Sequence, residues 1–90
     1  MRNYFVVVAC YEQNGELFET NYWFETENNL EEAMTAYTGA TRRAHEKAFT
    51  ITHCELISVT SREVSEFEYK RHALSEYGKR DLNMQKRGMN

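Results

Sequence analysis

The residues able to do chemistry in this chain are few: Cys10, Cys54, His45, His53 and His72. His45 opens "HEKAF", which begins like a zinc-protease helix. Such a helix needs a second histidine four residues on, so that two imidazoles share one face, and Phe49 stands there instead. None of the five has the C-x-x-C or H-x-x-x-H spacing that gathers ligands around zinc. His53 and Cys54 are adjacent, and on a strand adjacent side chains point to opposite faces, so one ion would not take both. A Cys54–His72 nucleophile pair would have to be made by folding alone, and nothing in the spacing favours it. Phosphate-binding G-x-x-x-x-G-K-[ST] and G-x-G-x-x-G are missing, as is the nucleophile motif G-x-S-x-G. The expectation is a protein that is not an enzyme and uses no metal or cofactor.

Charge says more once it is divided by position. From Asn3 to Thr41 there is no Lys or Arg, while seven glutamates contribute -7. From Arg42 to Asn90 ten basic residues face seven acidic ones, and with Arg2 the chain returns to a net -3. Two binding surfaces follow as expectations. Glu19, Trp23, Glu25, Glu27, Glu31 and Glu32 would form an acidic face for a basic protein partner. The alternative is nucleic acid held by Arg42, Arg43, Lys70, Arg71, Lys79, Arg80, Lys86 and Arg87. Tyr4, Tyr22, Trp23 and Phe24 suit base stacking by type, but no cation flanks them, so core packing is the better account.

The elements that must position these residues are legible from pattern. "NYFVVVACY" (3–11) and "ELFETNYWFET" (16–26) flank Asn14-Gly15, the favoured two-residue hairpin turn. The turn fixes a register in which facing residue numbers sum to 29. It sets Phe5, Val7, Ala9 and Tyr11 opposite Phe24, Tyr22, Thr20 and Phe18. Tyr4, Val6, Val8 and Cys10 line the other face, so the first strand is apolar on both sides and belongs at the centre of a sheet. Residues 27–49 read as a helix capped by Asn28 or Asn29, with Leu30, Ala33/Met34, Tyr37, Ala40/Thr41, Ala44 and Ala48 on its core stripe. Gly39 on that helix suggests close packing. "FTITHCELISVT" (49–60) reads as a third strand, parallel to the second through a β-α-β crossover and placed beside the first.

Thr60 with Glu63 has the pattern of a capping box for a C-terminal helix, with Val64, Phe67, Leu74 and Tyr77 as its stripe and Gly78 as its stop. A strand through "VSEFEYK" is the competing reading. The expected fold is α+β in ββαβα order, a three-stranded sheet of order 2-1-3, with one domain over 1–78 and a basic, flexible tail over 79–90. Trp23 is expected under the C-terminal helix through Val64, Phe67 and Leu74, or else under another subunit.

At 90 residues with 41% hydrophobic and 28% charged side chains, the composition is that of a globular chain. Its longest apolar run, "YFVVVAC", is too short to span a bilayer, and no signal-peptide pattern precedes it. Two cysteines in strand-like runs read as buried free thiols, which places the chain in the cytoplasm. A monomer or homodimer fits this size. The short, proline-free profile suits a small accessory protein of a phage or mobile element.

Overall fold

The computed structural model describes residues 2–27 and 29–73. The elements run β1 (Arg2–Gln13), β2 (Glu16–Glu27), α1 (Leu30–Thr50), β3 (Cys54–Val64) and α2 (Glu66–Ala73). β1 pairs antiparallel with β2 on one side and β3 on the other, so the order is β2-β1-β3, an α+β fold. The Asn-Gly turn sets the hairpin register as expected, from Arg2 facing Glu27 to Gln13 facing Glu16. Asn14 and Gly15 both take positive φ, 52° and 83°, the conformation this turn requires and few residue types tolerate.

β1 is central because both of its faces must be covered. Val6, Val7, Ala9 and Tyr11 are all buried. On the face of Ala9 and Tyr11 lies α1, whose Ala44 completes the core with Phe18, Tyr22, Ala48, Leu56 and Val59 around it. The other face carries α2, through Tyr4 against Tyr69 and Trp23 against His72. Alanines at 33, 36, 40, 44 and 48 form the sheet-facing stripe of α1, small enough to bring the helix close. Leu30 and Met34, expected on that stripe, are 77% and 60% exposed on its flank.

Several boundaries differ from the sequence pattern, each for a local reason. Asn29, not Asn28, caps α1: its Oδ1 accepts from the amides of Glu31 at 2.9 Å and Glu32 at 3.3 Å. Phe49 and Thr50 stay helical although β-branching nearby suggested a strand from 49; Phe49 is exposed and adds nothing to the sheet. β3 begins only after His53, whose φ of 57° turns the chain. It continues past Thr60 to Val64 because Ser61, Arg62, Glu63 and Val64 find β1 partners from Val7 to Tyr4. The pattern at Thr60 and Glu63 is therefore strand, and Ser65 caps α2 by accepting from the Glu68 amide at 3.1 Å. A register shift between Cys10 and Tyr11 leaves Ile57 as an extra residue in β3.

A Cβ built on Gly39 would meet nothing within 4 Å among the described residues, so this glycine serves no close approach to any of them. The two cysteines are free, as expected, but half-buried rather than buried. Leu74, Tyr77, Gly78 and the proposed tail 79–90 lie outside the described residues. No helix among those described is long and apolar enough to cross a membrane.

Candidate protein-interaction surface

The β2–α1 junction gathers most of the acidic residues the sequence singled out. Glu25, Glu31 and Glu32 line one shallow depression with Phe24, Thr26, Asn29, Thr35 and Ala36. Glu27 adjoins it: its amide donates to Glu32 Oε1 at 3.4 Å. The cap at Asn29 places Glu31 and Glu32 in the first turn of α1, where carboxylates are stabilised by the helix dipole. The Glu25 and Glu27 side chains share the Tyr4 face, beside α2, and there Arg2 partly offsets their charge, with Nε 3.5 Å from Glu25 and Nη2 3.4 Å from Glu27. These are exposed pairs, worth about 0–1 kcal/mol each, so they trim the field more than they fix the geometry.

Glu19 and Trp23 do not join this cluster. Glu19 faces Cys10 toward the hairpin turn, six residues from Glu25 and so roughly 20 Å along the strand. Trp23 is covered within the chain, its indole stacked on the His72 imidazole at 5.1 Å with planes 12° apart. His72 takes the part the sequence assigned to Phe67, which is 76% exposed instead. Once the strand runs to Val64, the α2 register turns away from the assumed one by five residues. Val64 is buried as expected, but from the end of β3.

The basic residues are divided between the two sides of the sheet. Arg42 and Arg43 lie on α1, while Lys70 and Arg71 lie on α2. Lys70 is held by Glu66 at 2.8 Å, one helical turn away; the carboxylate's hydrogen bond and then its charge raise the lysine pKa. Lys79, Arg80, Lys86 and Arg87 lie outside the described residues. His45, His53, Cys10 and Cys54 are scattered, and no group of three His, Cys, Asp or Glu among the described residues is placed to hold a metal ion.

A second surface was not read from the sequence. Between the N-terminal half of α1 and the outer edge of β3 runs a groove of about 490 Å³, bounded by Phe5, Leu30, Met34, Tyr37, Ser61 and Glu63. Tyr37 crosses it to donate its hydroxyl to the Val59 carbonyl at 3.0 Å. The alanine repeat, with Tyr37, spans the sheet-facing side of α1, and that was the signal that Leu30 and Met34 point elsewhere. No family model matches this chain, and comparison with curated proteins and with solved structures likewise finds no match.

Proposed function

We propose that this chain is a non-enzymatic protein-interaction module that holds a basic partner segment at the β2–α1 junction. The observation that carries this is the pair Glu31 and Glu32 lining one depression that Glu25 borders, with the Glu27 amide bonded to Glu32 at its edge. The Glu25 and Glu27 carboxylates extend the acidic surface round to the α2 side, where Arg2 pairs with them. Phe24 and Ala36 give the depression an apolar floor, so a lysine or arginine stem can pack while its head meets carboxylate. Rim charges of this kind steer a partner and set its orientation more than they add affinity. The reading places the protein in the cytoplasm, where Cys10 and Cys54 stay reduced. An accessory role of the sort phages and mobile elements encode suits its size.

A tagged chain recovered from native lysate, with and without nuclease and eluted in steps of salt, tests this. The expected result is a protein partner that survives nuclease. That partner is lost from a Glu25→Gln, Glu27→Gln, Glu31→Gln variant whose melting temperature is close to that of the parent. Recovery of nucleic acid that disappears on nuclease treatment would overturn it in favour of the basic residues.

A further inference from the structure

Among the described residues the sheet has two free edges, and they are not alike. β2 carries Glu16, Glu19, Glu25 and Glu27, like charges that repel a second copy and guard the edge. β3 is regular from Ser58 to Val64, where it holds only Arg62 and Glu63, of opposite sign. Beside that edge lies the groove, with Leu30 77% and Met34 60% exposed. We infer that this flank is the interface of a homodimer, in which β3 pairs antiparallel with β3 of a second copy to give a six-stranded sheet.

The charge layout selects a second copy as the occupant. A two-fold axis through Thr60, normal to the sheet, sets Thr60 against its own copy, Ser61 against Val59 and Arg62 against Ser58. No like charges face each other in that register. The same axis places both α1 helices on one side of the sheet, antiparallel. Met34 and Ser61 share the groove, and Tyr37 bonds Val59, so Thr60 lies level with residues 35–36 of α1. Rotation about that level brings the acidic start of α1 beside the basic half of its mate, with Glu31 level with residue 40 of the second copy and so about two residues from its Arg42. Leu30 and Met34 then fill the space between the helices. An isologous contact of this type closes on itself; it engages Glu31 and leaves Glu25, Glu27 and Glu32 of each copy open at the outer end.

Sedimentation equilibrium of the whole chain, at roughly 100 µM and so well above the micromolar Kd at the weak end for standard interfaces, tests the inference. The mass expected is twice the 10.7 kDa of the chain. Thr60→Lys sets two ammonium groups face to face at an exposed position and should weaken dimerisation at least about tenfold without changing the fold. Arg42→Glu should weaken it, and Glu31→Arg added to Arg42→Glu should restore it. Thr60→Cys should give a disulfide-linked dimer on a non-reducing gel, with the native chain, which keeps Cys10 and Cys54, as the blank. A monomer of 10.7 kDa at that concentration would overturn the inference, as would a dimer indifferent to Thr60→Lys and Arg42→Glu. Neither result bears on partner capture at the acidic junction, which Thr60 does not touch.

Discussion

Arg62 reaches from the end of β3 across the turn at Ser65 and holds Glu68 with both guanidinium nitrogens, Nη1 to Oε1 at 3.2 Å and Nη2 to Oε2 at 3.0 Å. The two-pronged geometry joins the sheet to α2, near the start of the helix. The hydrogen bonds from Arg62 hold the Glu68 carboxyl below its usual 4.5, the Arg62 charge adding to them and burial working against both.

A depressed carboxyl pKa stabilises the folded state above the unfolded value and loses that contribution as pH falls through the folded one. Glu68→Gln should therefore lower the melting temperature near neutrality. The gap between variant and parent should close progressively as pH drops below about 4.5. A gap that persists at pH 3 would show that Glu68 acts by packing and not by charge.

The alkaline side is governed by Tyr11. This fully buried phenol lies 2.9 Å from Thr20 Oγ1 and stacks on Phe18 at 4.8 Å. Burial pushes its pKa up to about 12. Since the unfolded phenol ionises near 10, its contribution is whole below pH 10 and disappears as pH rises from 10 to 12. Tyr11→Phe should cost about 1 kcal/mol at neutral pH through the lost hydrogen bond. Its unfolding free energy should fall less steeply than the parent's across the alkaline window.

Trp23 is the single tryptophan and reports directly on α2. His72→Ala should cost about 0.5–1.5 kcal/mol, the range for an aromatic pair. It should also shift the fluorescence emission to the red as water reaches the indole. Unchanged emission would mean that the cover of Trp23 does not depend on the stacked imidazole.

Thr26 is only 4% exposed, and its hydroxyl meets no hydrogen-bond partner among the described residues. A buried unpaired polar group costs about 1–3 kcal/mol, and valine has nearly the same shape. Thr26→Val should raise stability in chemical denaturation by about 1 kcal/mol or more. A loss would show that the hydroxyl is satisfied in solution.

How far the sequence exposes this structure depends on whether a feature is local. The Asn14-Gly15 turn is a two-residue signal with one favoured geometry, and the register from Arg2–Glu27 to Gln13–Glu16 follows from it. The central place of β1 follows from its two apolar faces. The end of β3 is different, because Ser61 to Val64 are extended only by virtue of pairing with Tyr4 to Val7, some 55 to 60 positions earlier. Local chemistry at Thr60 and Glu63 mimics a helix start, and tertiary pairing overrides it. At the candidate site, Glu25, Glu27, Glu31 and Glu32 are close in sequence and lie near the β2–α1 junction, with Glu25 and Glu27 on the Tyr4 face of the sheet and Glu31 and Glu32 on α1. Glu19 and Trp23 do not, because the strand carries them along the sheet. The groove at Leu30 and Met34 escaped notice because both recur at the spacing of the alanines that face the core, and spacing alone does not show that the stripe leaves them on its flank.

The sandwiching of β1 between β2 and β3 also has a consequence for how the chain is made. The hairpin is complete once Glu27 has emerged, but "VVVAC" then still lacks its second neighbour. About 35 to 40 more residues must be translated before β3 can close that edge, a wait of a few seconds at typical ribosomal rates. During that interval a valine-rich strand stands with one row of backbone amides and carbonyls unpaired. Nascent chains made close together on one message would be able to trap each other there, so slower synthesis of residues 28–64 should raise the aggregated fraction without altering the finished fold.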